Sequence, residues 1–114
     1  MSERRLVRVG SVSELAEDGQ RLVAEIDEHE ILVLVLGGQR YAIGNICSHD
    51  EVWLDDGTLH PESCEIECPM HEGRFDLRTG AATHLPCERP VPSYPVVVDG
   101  DDVLVELPPP ATGD

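Results

Sequence analysis

Polar and apolar positions alternate from Arg21 to Ile26, which is the period of a β-strand. Ile31 to Leu36 is a run of branched apolar residues that stops at Gly37-Gly38, and Tyr41-Ala42-Ile43 follows. That pattern predicts a hairpin across the glycine pair. Upstream, Leu6-Val7-Arg8-Val9 alternates weakly before Gly10 and predicts a short strand. Ser11 with Glu14 three residues on is the start signal of a one-turn helix, and Asp18-Gly19 marks a turn. Residues 44–83 differ: they are rich in Gly, Pro and Asp, and only Glu65–Glu67 and Arg74–Leu77 suggest regular structure. The strand pattern returns after Val91, where Tyr94–Val98, a turn at Asp99-Gly100-Asp101 and Val103–Leu107 predict a second hairpin. No repeat is visible and no helix of ten residues can be drawn. The expectation is a small all-β domain with a loop-rich region inserted between its strands.

A chain of 114 residues builds one modest core. That excludes a two-domain dehydrogenase, a flavoprotein with its own nicotinamide site and a large catalytic barrel. Charge changes the picture further: 8 basic against 23 acidic residues give −15. Such a chain does not hold phosphate backbones or anionic membrane surfaces. It suits a protein partner with a basic face, although solubility alone also accounts for acidity. The longest apolar run, Ile31 to Leu36, has six residues, whereas a membrane span needs about 20. Arg4-Arg5 is not followed by an apolar stretch of the kind an export signal carries, so the expectation is a cytoplasmic protein.

Cysteines stand at 47, 64, 68 and 87. Without a secretion signal, reduced thiols or metal ligation fit better than a disulfide frame. Cys47-Ser48-His49 and Cys68-Pro69-Met70-His71 each pair one thiolate with one imidazole, and eighteen residues lie between the pairs. Two such loops can clamp one inorganic centre. Tetrahedral zinc is one occupant. A plant-type Cys₄ cluster needs a spacing these cysteines lack, and a [2Fe–2S] centre with two His on one iron is the third.

The two pairs resemble the Rieske signature, and so do their surroundings. Tyr41-Ala42-Ile43-Gly44-Asn45-Ile46 leads into the first pair, and Gly73-Arg74-Phe75-Asp76-Leu77-Arg78-Thr79-Gly80 follows the second. Pro90-Val91-Pro92-Ser93-Tyr94-Pro95-Val96 stands where such proteins carry a proline-rich loop beside the cluster. From about Leu6 to Leu107 the chain is similar to the small Rieske-type ferredoxins of aromatic-ring dioxygenases.

The resemblance implies a small antiparallel β-sandwich forming a single domain over 1–114. Its basal part would be about 5–43 and 84–107, its cluster-binding subdomain about 44–83, and its disordered tail 108–114. It implies one [2Fe–2S] cluster per chain, with Cys47 and Cys68 on the inner iron and His49 and His71 on the outer. It implies no catalytic residues, because the chain would be a one-electron carrier rather than an enzyme. Electrons would come from a flavoprotein NAD(P)H-dependent ferredoxin reductase and go to a terminal Rieske oxygenase. The carrier would be a monomer that binds neither nucleic acid nor membrane. The alternatives are a Rieske ferredoxin of iron–sulfur assembly, a nitrite reductase small subunit, and a structural zinc-binding interaction module.

The chain departs from high-potential Rieske proteins at four positions. Their loop-bridging cysteines are replaced by Val52 and Met70, and their hydroxyl donors to the cluster sulfurs by Gly73 and Phe75. A low reduction potential follows. Cys64 and Cys87 match no ligand position and are expected to be small buried hydrophobes. His29, His60 and His84 are expected at the surface or in turns, and Trp53 as partial core. Asp50, Glu51, Asp55, Asp56, Glu62, Glu65, Glu67 and Glu72 form either a solvated face or a docking surface.

Overall fold

The structure, a computed structural model, describes residues 5–27, 29–46, 53–69, 73–85 and 89–108. Along the chain run β1 (Arg5–Ser11), β2 (Arg21–Ile26), β3 (His29–Leu36) and β4 (Gln39–Gly44). A single 3₁₀ turn (Leu54–Asp56) precedes β5 (Thr58–His60), β6 (Glu65–Glu67), β7 (Arg74–Asp76) and β8 (Ala82–His84). Then come β9 (Ser93–Tyr94), β10 (Val96–Asp99) and β11 (Asp102–Leu107). These strands make three antiparallel sheets ordered β1-β11-β10, β2-β3-β4-β9 and β5-β6-β7-β8.

The second sheet lies between the other two. Side chains alternate along a strand, and β3 sends them into two separate cores. Leu32, Leu34 and Leu36, with Ile43 of β4, pack with Leu54, Ile66, Cys68, Phe75, Leu77 and Val91 on the third-sheet side. Ile31, Val33 and Val35 pack with Leu15, Val103, Val105 and Leu107 on the first-sheet side. A strand covered on both faces needs no polar alternation, which is why residues 31–36 are uniformly apolar and buried. Each such side chain contributes roughly 1.5–3 kcal/mol by leaving water.

The hairpin across Gly37-Gly38 forms as expected. Both glycines have positive φ, 61° and 77°, the type I′ geometry that favours glycine. The Asp18 carboxylate accepts from both their amides, at 2.9 and 3.0 Å, and so ties two turns together.

Two expectations are corrected. Ser11 and Glu14 make the reciprocal bonds of a helix start, with the Ser11 amide donating to Glu14 Oε1 at 2.8 Å and the Glu14 amide to Ser11 Oγ at 3.3 Å. Only a turn forms there, because the chain closes straight back against Gln20, whose Oε1 takes the Ala16 and Glu17 amides at 2.7 and 2.8 Å. The stretch Tyr94–Val98 is not one strand: Pro95 separates β9, which pairs with β4, from β10, which pairs with β11. A proline supplies no amide to a ladder, so the chain changes sheets there.

The third sheet and the segment after it are anchored to the middle one. The Gly44 amide donates to Pro92 O at 2.8 Å, and the Val91 amide to Gly80 O at 2.9 Å. Gly80 has φ +81°, and a Cβ there would stand 2.0 Å from Val91 O, so only glycine fits. The remainder of the tail, 109–114, lies outside the described residues.

Candidate metal centre

Cys68 follows directly on β6. It is 1% exposed, takes part in no disulfide, and packs with Leu54, Ile66 and Phe75. Its amide donates to Gly73 O at 2.7 Å, a pinch that joins Cys68 to Gly73. A second pinch lies beside it. Ile46 and Trp53 form an antiparallel bridge around residues 47–52, and the Leu54 amide donates to Asn45 O at 2.6 Å. The two bases adjoin: a Cβ on Gly57 would meet Glu67 O at 2.4 Å, and Thr58 pairs with Glu67. The described residues that flank the two sequence pairs, Ile46 with Trp53 and Cys68 with Gly73, therefore lie at the same end of the third sheet. Cys47, His49 and His71 themselves lie outside the described residues, as does Cys87.

Two features of this end fit an inorganic cluster. The Cys68 thiol is buried among apolar side chains, where a bare thiolate is costly and a thiolate neutralised by iron is not. Asn45, 1% exposed at the root of the first segment, spends its amide nitrogen on Glu30 Oε2 at 2.9 Å and Asp55 Oδ1 at 3.1 Å. Among the described residues its Oδ1 is buried with no hydrogen-bond partner, an acceptor left over where residues 47–52 begin. Among the described residues alone, no three His, Cys, Asp or Glu side chains assemble into a metal site.

The other candidates separate. Trp53 is 52% exposed, so it is not partial core; it bridges to Ile46, which is also exposed, and Leu85 is 75% exposed just after β8. Cys64 is half-buried rather than enclosed, with φ 58°, and packs against the third-sheet core. Its hydrogen bond with the Tyr41 hydroxyl, aided by burial, raises the tyrosine pKa above 10.0. His29 Nδ1 lies 3.0 Å from the Tyr94 hydroxyl, whose pKa burial raises. His60 and His84 stand on β5 and β8.

The acids divide likewise. Glu62 and Asp56 are exposed, whereas Glu65 is buried and Glu67 half-buried, bonded across the outer face of the third sheet to Arg74 and His60. Asp50, Glu51 and Glu72 lie outside the described residues. All eight basic residues are arginine. Among the described residues, Arg5, Arg8, Arg74 and Arg78 pair with carboxylates, and Arg21 and Arg40 with backbone carbonyls.

Acid sensitivity follows from this network. Burial alone would raise the Glu65 pKa, but hydrogen bonds from Thr83, Ser63 and Arg74 outweigh it and hold the group below 4.5. Arg78 holds Asp76 below 3.8. Both acids are stronger folded than unfolded, so the unfolded chain takes up protons first as pH falls. Their contribution is complete above the ordinary carboxylate range and is lost as pH drops through their folded values. Thermal melts should therefore be flat from about pH 7 to 5.5 and fall below about pH 4.5. Glu65→Gln should flatten that decline; an unchanged slope would remove Glu65 from the account.

Residues 5–95 match the Rieske [2Fe-2S] domain, and the chain belongs to that family. A family member of this kind carries one [2Fe–2S] cluster. The chain is 38% identical over 103 residues to the ferredoxin component of the p-cumate 2,3-dioxygenase system of Pseudomonas putida, spanning 90% of this chain and 86% of that protein. Among solved structures it is similar to the ferredoxin of carbazole 1,9a-dioxygenase from Nocardioides aromaticivorans IC177. That likeness has a TM-score of 0.81 and 51% identity, over 88% of this chain and 95% of that one. It is also similar to a chain in a complex of reduced oxygenase and oxidized ferredoxin in carbazole 1,9a-dioxygenase, with a TM-score of 0.78 and 30% identity, over 88% and 91%.

Proposed function

We propose that this chain is a one-electron carrier that takes electrons from a flavoprotein NAD(P)H-dependent reductase and delivers them to a terminal Rieske oxygenase. The carrying observation is the buried Cys68 at the shared root of two Cys/His segments, in a chain whose relatives are dioxygenase-system ferredoxins. Cys47 and Cys68 hold the inner iron, and His49 and His71 the outer one. The cluster supplies a site that accepts and releases one electron. Cys68, at the end of β6 in the third sheet, would hold it together with the segment that starts after Ile46. The substrate is handled by the oxygenase, so this chain needs no catalytic residue.

The chain divides into a basal part, about 5–43 and 84–107, and a cluster-binding part, about 44–83, a reading supported by the separate β5-β6-β7-β8 sheet. No helix of the described residues is long and apolar enough to cross a membrane. A cytoplasmic monomer that meets its partners by collision fits the acidic charge and the relatives' role as separate ferredoxin components. Similarity to dioxygenase ferredoxins favours that setting over cluster assembly or nitrite reduction.

The test is reconstitution. The purified holoprotein should show Rieske absorption and electron paramagnetic resonance, and should restore NAD(P)H-driven turnover to a matched reductase and oxygenase. A colourless, zinc-loaded protein with no transfer activity would overturn the assignment. Transfer rate should also fall as salt rises from about 50 to 500 mM, because exposed charges are screened over about 10 Å or less. A flat rate would place docking on Ile46, Trp53 and Leu85 instead.

A further inference from the structure

We propose that Arg21 is a positioning residue for the metal centre, acting from the edge of the middle sheet on the root of the segment that carries Cys47 and His49. The proposal rests on the ligand assignment above. Arg21 opens β2, on a different sheet from the site. Its Nη1 donates to Asp55 O at 2.9 Å and to Gly57 O at 3.0 Å, while its Nε reaches Gly19 O at 3.3 Å.

Those two acceptors close the 3₁₀ turn Leu54–Asp56. The end of a helical turn leaves carbonyls without internal donors, and a cation there satisfies them and complements the local dipole. The turn is linked to the site at every step. Leu54 donates to Asn45 O, Trp53 bridges to Ile46, and Asp55 Oδ1 accepts from the Asn45 side chain at 3.1 Å. Arg21 thus holds the turn that fixes both ends of residues 47–52. With no cysteine at Val52 or Met70, no disulfide can join the two cluster segments, so this root needs another brace. A guanidinium suits the task, because one nitrogen carries two hydrogens in a fixed plane.

A purely structural tie would lower the melting temperature and do nothing else. A positioning residue changes how uniformly the cluster is gripped in molecules that remain folded. The experiment compares holoprotein of wild type, Arg21→Met and Arg21→Lys. Three quantities are read: the line width of the reduced Rieske resonance, the rate of bleaching by an iron chelator, and the melting temperature.

Arg21→Met should broaden the resonance and bleach about tenfold faster, the factor expected from losing one or two ordinary hydrogen bonds. Arg21→Lys, whose ammonium can donate to both carbonyls, should restore both. Wild-type line width and bleaching rate in Arg21→Met overturn the proposal, whatever happens to the melting temperature. Should Arg21→Met fail to fold, Arg21→Gln, polar but too short to reach both carbonyls, gives the same reading. If wild-type protein itself lacks a Rieske resonance, the ligand assignment fails rather than the role of Arg21.

Discussion

Cys68→Ser is expected to purify without the visible absorption of the wild-type holoprotein, and Cys64→Ser to keep it. The two cysteines lie four residues apart and differ in setting. Cys68 is enclosed at the pinched end of β6, where its thiol can meet a metal held by the adjacent segment. Cys64 sits at the far end of that strand, where its carbonyl accepts from the Leu77 amide at 2.9 Å and its thiol meets Tyr41. Cluster binding is partly folding free energy, so Cys68→Ser should also melt earlier. Iron analysis with absorption spectra of both variants decides the matter. Bleaching by Cys64→Ser with a normal Cys68→Ser would reverse the assignment.

The reduction potential is expected near the low end of the Rieske range, on the order of −150 mV. Phe75 occupies the middle of β7 and is fully buried in the core that contains Cys68. It offers no donor toward a cluster sulfur. A hydrogen bond to sulfur favours the more negative, reduced state, so its absence lowers the potential. Phe75→Tyr should raise it by about 40 mV, equivalent to roughly 1 kcal/mol for one electron. The new hydroxyl would be buried, so it stabilises only if the cluster accepts from it; otherwise the variant loses stability with no gain in potential. Protein-film voltammetry of both proteins provides the check. A wild-type value above about +100 mV, in the upper half of the range, would contradict the low-potential reading and the reductase-fed role.

The sequence announced the elements that local chemistry decides. The Gly37-Gly38 turn and β2 were legible because positive φ and strand period leave marks within a few residues. The family was legible too, since the paired Cys and His with their flanking segments resemble the Rieske signature. β5 and β8 were not. They have three residues each and form because β6 and β7 lie between them. The apolar run at residues 31–36 is what a strand covered on both faces requires, but nothing local says which elements cover β3; that depends on where two other sheets fall. The partnership of Arg21 with Asp55 and Gly57 spans more than thirty positions and left no mark in the sequence. Glu65 was misplaced among solvated or docking acids because a buried carboxylate and an exposed one are spelled alike.

The arginine-only complement has a practical consequence for mapping encounters. A protein without lysine offers amine-reactive reagents no side chain to attack, while its many carboxylates remain open to carbodiimide activation. Activated acids on this chain then have almost no amines of their own kind to capture them. Zero-length coupling should run in one direction, from acids of the carrier to lysines of whichever protein has docked. Each amide found by mass spectrometry would then name one point of a transient complex, with little background from self-linked copies.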